Sequence, residues 1–194
     1  MFYNDKWFKI GWLYFLIQFV LEIVLPDYFG DENGIIENLQ MLWLIGGGVF
    51  SYRMCVKVGG TKEAFLWKAG VIFFFLLTMR EISWGRAILH HADGRSFTYA
   101  DMGLFGQLVH PLVGVLIAAL LYYLYKARIA RLLWQYKLPV KSFVLLLLFI
   151  FCSWVAERRG WFGYSGQVAE ELAEFGAYMM MFVICYNFGR NKRS

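Results

Sequence analysis

The chain is 194 residues long, 60% hydrophobic and 20% aromatic, and 17% of its residues are charged. Soluble domains are about half apolar and roughly a quarter charged, so this composition excludes an ordinary soluble domain and indicates a membrane protein. The length suits one helical bundle, and we expect a single integral membrane domain over residues 1–194.

The basic residues are unevenly distributed along the chain. Fourteen of the nineteen fall in the N-terminus, two alternate loops and the C-terminus, where Asp5 and Glu63 are the opposing acids. The positive-inside rule then predicts that both termini are cytoplasmic, in a bacterial-type inner membrane. Because this topology explains the net charge of +5, that charge predicts no nucleic-acid partner.

Long apolar runs separated by Gly, Pro and Asp predict an all-α bundle of six transmembrane helices. We expect these helices at about 8–25, 35–52, 65–90, 108–126, 140–158 and 168–189. Their order and the alternating charge predict three tandem hairpins, each of which enters and leaves from the cytoplasm. The basic loop 127–139 is expected to lie on the anionic cytoplasmic leaflet.

Three predicted helices carry a polar residue at the same distance from a basic residue. The polar residues are Glu37, His110 and Glu174, and they lie sixteen positions before Arg53, Lys126 and Arg190. Sixteen helical residues span roughly 24 Å, most of a hydrocarbon core of about 30 Å. We therefore expect the three polar side chains at one depth near the outer face, where a buried charge suggests a functional site.

The segment 79–86 holds the densest group of charges near that depth. Arg80 and Arg86 flank Glu81 in a predicted helix, and Trp84 lies between them. Guanidinium groups bind phosphates and carboxylates, so Arg80 and Arg86 are candidate substrate-binding residues, with Trp84 at the interfacial mouth. The structural alternative is a buried Arg80–Glu81 pair whose members neutralise each other.

The candidate acid/base residues are Glu81, His110, Glu174 and Glu37. His110 precedes Pro111 at an expected helix start, where the helix dipole favours a neutral imidazole that can act as a general base or a metal ligand. Glu37 and Glu174 have an ordinary alternative explanation, since acids in a first turn stabilise the helix dipole. We also expect that His110, Glu81 and Glu174 could hold zinc, manganese or iron.

Further candidates lie at the outer ends of the third and fifth helices. His90 and His91 are additional metal candidates, and Trp161 would line the mouth of the site. Arg158 is a candidate anion-binding residue near Trp154. The alternative for Arg158 is a side chain that reaches toward the membrane surface without binding substrate.

These patterns together predict a membrane enzyme, a hydrolase or transferase that acts on a lipid or lipid-linked head group at the outer leaflet, with or without a divalent metal. Membrane lipid is the expected partner. One alternative is a structural or accessory subunit that docks an outer-face protein, and an oligomer is also allowed. A proton-coupled transporter is less favoured, because the inner half of the bundle has few polar residues.

Overall fold

The computed structural model describes residues 6–30, 34–88, 97–135, 139–159 and 166–190, which contain helices and turns and no strand. The helices are α1 (Lys6–Val24), α2 (Ile35–Lys57), α3 (Glu63–Glu81), α4 (Gly103–Ala127), α5 (Ile129–Gln135), α6 (Val140–Arg159) and α7 (Gly166–Arg190). Two 3₁₀ segments span Asp27–Gly30 and Ser83–Ile88. The all-α prediction is confirmed. His90, His91 and Trp161 lie outside the described residues.

The third predicted helix ends earlier than the sequence pattern indicated. α3 stops at Glu81, because Ser83, Trp84 and Gly85 take positive φ angles of 45°, 56° and 88°. A right-handed helix cannot contain three such residues. The prediction of a continuous helix over 65–90 is therefore wrong, and Arg86 lies beyond the helix that carries Glu81.

The fourth predicted helix begins earlier than expected. α4 starts at Gly103 and contains Pro111, so His110 lies in its third turn rather than at its start. The influence of a helix dipole falls off within the first turn. The sequence interpretation of His110 as a residue under a helix dipole is therefore wrong, and its chemistry depends on its neighbours.

Within the described residues, three helices are long and apolar enough to span a membrane: α1, α4 and residues 140–158 of α6. On α1 the buried residues are Gly11, Gln18 and Glu22. The exposed residues of the same helix include Val20 at 60% and Val24 at 70% exposure. A helix in water would bury its apolar face, whereas polar residues inside and apolar residues outside suggest a helix in lipid.

The chain divides into two compact units, of which the first comprises residues 1–43 and 135–194. In this unit α7 packs against α6 and α1. Its main core cluster contains Leu145, Phe149, Ala177, Met179, Met180 and Val183. The Tyr14 hydroxyl donates a hydrogen bond to the Leu172 carbonyl oxygen at 2.8 Å, which ties α1 to α7.

The second unit comprises residues 44–134, and in it α3 packs against α4. Trp67 and Phe74 are buried, and the Trp67 ring meets Phe50 edge-on at 5.8 Å between centroids. After α3 ends, the buried Trp84 ring packs edge-on against Phe75. The expectation of a single domain and of three tandem hairpins stays a prediction.

Candidate functional site

The end of α3, in the second unit, brings together the first pair of predicted site residues. Arg80 Nε lies 3.8 Å from Glu81 Oε1, with the Arg80 side chain 60% exposed and the Glu81 side chain 7% exposed. At that separation the two groups form an ion pair without a hydrogen bond between these atoms. The buried carboxylate is thus balanced by a cation whose guanidinium extends outward.

The chain direction changes directly after this pair. The Gly85 amide donates a hydrogen bond to the Ile82 carbonyl oxygen at 2.8 Å, which closes the turn through Ser83 and Trp84. Ser83 and Trp84 are not glycines, so their left-handed backbone angles are strained. Burial of the Trp84 ring, which is 8% exposed, stabilises the turn and directs the chain toward Arg86.

Tyr99 brings two further predicted residues, Arg86 and His110, against one aromatic ring. The Arg86 guanidinium carbon lies 5.3 Å from the Tyr99 ring centroid, within the range of a cation–π interaction. The His110 ring meets the Tyr99 ring edge-on, with centroids 5.5 Å apart. His110 itself is exposed, so its imidazole is accessible to a ligand from outside the helix.

The loop before α4 fixes Tyr99 in this position. Asp101 Oδ2 accepts hydrogen bonds from the Thr98 amide at 2.7 Å and from the Thr98 hydroxyl at 2.6 Å. These bonds hold the residues on both sides of Tyr99 in a local turn. Gly106 on α4 allows close approach, since a Cβ there would collide with the Tyr99 carbonyl oxygen.

Tyr99 is absent from the site residues that the sequence predicts. Tyrosine in a connecting loop carries no motif, and its contacts with Arg86 and His110 arise from the fold of that loop. The one sequence signal nearby is the Thr98–Asp101 spacing, which is typical of a side-chain-stabilised turn. That spacing predicts a turn and gives no role to the tyrosine.

Glu37 and Glu174 belong to the first unit and are both half-buried. Near them, the buried Gln40 amide nitrogen donates to the Glu171 carbonyl oxygen at 2.9 Å and to Glu171 Oε2 at 2.8 Å. These hydrogen bonds join the beginning of α2 to the beginning of α7. Gln40 lies one turn after Glu37, and Glu171 one turn before Glu174, so two of the three helices in the sixteen-residue pattern meet near their polar ends.

Arg158, also in the first unit, lies near the end of α6. Its guanidinium carbon is 4.5 Å from the centroid of the Trp154 ring, and both side chains are exposed. This contact fits an arginine at a membrane surface as well as one that binds an anion. The prediction that all the site residues share one depth stays a prediction.

Among the residues that the structure describes, no three His, Cys, Asp or Glu side chains form a group that could hold a metal ion. A metal bound by His110, Glu81 and Glu174 stays a prediction. Comparisons of the chain with protein-family models, with curated proteins and with solved structures found no match.

Proposed function

We propose that this chain is an integral membrane enzyme, a hydrolase or transferase that acts on a lipid or lipid-linked head group at the outer leaflet. The observation that carries the proposal is the end of α3, where buried Glu81 and exposed Arg80 precede a strained turn that leads to Arg86. Left-handed non-glycine residues cost on the order of 1–3 kcal/mol each, and they cluster at active sites. The three long apolar helices support the membrane location.

The candidate site residues at the end of α3 and near Tyr99 each have a proposed role in this reaction. Arg80 and Arg86 hold the anionic part of the head group, because guanidinium groups pair with phosphate and carboxylate oxygens. Glu81 acts as the general base toward the attacking water or hydroxyl, and His110 gives a proton to the leaving oxygen. Tyr99 is a positioning residue, since its ring contacts both Arg86 and His110.

The remaining predicted residues have supporting roles in the proposal. That Glu37 and Glu174 are further acid/base groups and Arg158 a further anion contact stays a prediction, whereas the buried Trp84 ring supports the turn that leads to Arg86. The proposed topology is six spans in three tandem hairpins, with both termini cytoplasmic in a bacterial-type inner membrane. Its support is the one-sided distribution of basic residues and the packing of α3 on α4 and of α6 on α7.

A divalent metal at His110, Glu81 and Glu174 stays a prediction, and no step above depends on it. Elemental analysis of the purified protein tests it directly. Zinc, manganese or iron at one equivalent per chain in the wild type, and its loss in His110→Gln, would support the metal. An equal metal content in both proteins would contradict it.

Lipid conversion tests the proposed activity without a known substrate. The purified chain is placed in vesicles of a bacterial polar lipid extract, and lipid classes are followed by mass spectrometry. We expect one head-group class to fall and a product to appear with the wild type. His110→Gln should lose about 100-fold or more of this activity, whereas Glu157→Gln, at an exposed acid on α6, should retain it.

Thermal unfolding of the same proteins separates chemistry from folding. Glu81→Gln and His110→Gln are expected to fold, with melting temperatures within a few degrees of the wild type. If both variants fail to fold, Glu81 and His110 are structural and the proposed roles are wrong. The absence of any lipid change with the folded wild-type protein would also refute the proposal.

A further inference from the structure

The helices α1, α6 and α7 enclose a cleft in the first unit that the proposed reaction does not use. It is partly open, so its empty volume of ≈ 240 Å³ includes open space outside the cleft. It is lined by Gln18, Phe19, Glu22, Cys152, Ala156, Ala169 and Leu172. The cleft therefore combines three side chains with hydrogen-bonding atoms and an apolar wall.

Two buried oxygen atoms in this cleft lack a hydrogen-bond partner. Gln18 is 4% exposed and Glu22 is 8% exposed, and Oε1 of each residue is unpaired. The two residues lie four positions apart on α1, so their side chains share one face of the helix. A buried acceptor without a partner destabilises the fold, so a ligand that donates hydrogen bonds would stabilise both residues.

The charge of the cleft defines the ligand further. None of the described residues that line it is basic. A carboxylate among apolar groups is costly unless a cation is paired with it, so a positively charged donor fits best. Hard metal ions such as calcium take six to eight oxygen ligands, more than Gln18 and Glu22 can supply.

A primary ammonium group matches the number and kind of the acceptors. It carries three N–H donors, and the cleft offers the oxygens of Gln18 and Glu22 together with the weakly accepting sulfur of Cys152. The apolar side chains of Phe19 and Leu172 suit the carbon chain that bears the amine. The free space holds one group of about the size of a water molecule, which agrees with a single ammonium head.

We propose that this cleft binds the primary ammonium group of an amine. The amine is carried by a lipid head group or by a small free molecule, and the chemistry of recognition is the same for both. Exposed apolar residues on α1, such as Val20 and Ile23, would place lipid beside the cleft. The proposal stands apart from the reaction above, because it uses none of the residues assigned to that reaction.

Alkylation of Cys152 reports directly on the occupancy of the cleft. The purified chain is treated with N-ethylmaleimide, and modification of each cysteine is measured by peptide mass spectrometry. Cys55 and Cys185 serve as internal controls, since neither lines the cleft. Ethylammonium chloride at about ten times its dissociation constant should slow modification of Cys152 about tenfold by simple occupancy, without slowing that of Cys55.

Matched salts and variants make the test specific. Tetramethylammonium, which has no N–H donor, and sodium should give no protection at the same ionic strength. Glu22→Gln should abolish protection by ethylammonium, and Glu157→Gln should retain it. Three results would overturn the proposal: equal protection by all three salts, no protection by ethylammonium, or protection that persists in Glu22→Gln. If Glu22→Gln does not fold, the comparison of salts on the wild type decides.

Nanodiscs of defined composition identify the source of the amine. Protection of Cys152 in phosphatidylethanolamine nanodiscs, but not in phosphatidylcholine nanodiscs, would assign the site to a lipid head group. Protection only after addition of ethylammonium would assign it to a free amine, and both outcomes support the site. No lipid turnover is read, so this experiment and the test of the proposed enzyme succeed or fail separately.

Discussion

Tyr99 and His110 meet edge-on, with ring centroids 5.5 Å apart, and this contact joins the loop before α4 to the third turn of that helix. The other partner of the tyrosine is Arg86, whose guanidinium carbon lies 5.3 Å from the same ring centroid. Tyr99 thus contacts both the Arg86 guanidinium, which could bind an anion, and the His110 imidazole, which could transfer a proton. The proposed reaction depends on this loop being held in place.

Gly106→Ala should displace Tyr99. A Cβ at Gly106 would collide with the Tyr99 carbonyl oxygen, so the loop must move away from α4. Gly114→Ala is the matched control on the same helix, because its Cβ would meet nothing within 4 Å. We expect Gly106→Ala to cost about 1–3 kcal/mol of stability and to reduce lipid turnover. Equal melting temperatures for the two variants would show that the loop does not depend on this approach.

Gln40→Leu should loosen the contact between α2 and α7 in the first unit. Its amide donates to both the backbone and the side chain of Glu171, and replacement would leave these acceptors without those bonds. The expected cost is about 1–3 kcal/mol, or several degrees in melting temperature at roughly 2–4 °C per kcal/mol. Gln107→Leu, at an exposed glutamine on α4, should change stability little. A loss of similar size in both variants would contradict a specific role for Gln40.

Phe151→Lys should impair membrane insertion more than Val140→Lys. The two positions on α6 are about equally exposed, at 58% and 57%, but Val140 is the first residue of the helix and Phe151 is near its middle. A lysine at the centre of a span costs about 2.5–3.5 kcal/mol, and one at its end costs much less. The measurement is the fraction of protein that resists alkaline carbonate extraction. Equal resistance of both variants would contradict a membrane-spanning α6.

The long helices were predictable because apolar runs and the turn residues between them are visible in short stretches of the sequence. It misplaced the end of α3, since nothing in the run before Gly85 marks Ser83 and Trp84 as left-handed residues. Gly85 was the available signal, because glycine commonly follows the last turn of a helix. The start of α4 was also misplaced, since Pro111 was read as a residue near the helix start although it lies inside the helix.

Only the part of the candidate site that is close together in the sequence was predictable. Arg80, Glu81 and Arg86 were found from their proximity in the sequence, whereas the role of Tyr99 required the fold of a loop. Gln18 and Glu22 lie four positions apart on α1, but their place in a cleft requires α6 and α7 to pack on α1. Contacts between distant segments leave no local pattern in a single sequence.

The ratio of lipid turnover by the wild type to that by Glu81→Gln tests the central claim most directly. The measurement uses the purified proteins in vesicles of bacterial polar lipids, at equal amounts of folded protein. The account predicts a ratio of about 100 or more, because Glu81 is proposed as the general base. A ratio near one, with product formed by both proteins, would contradict the assignment of the reaction to the end of α3.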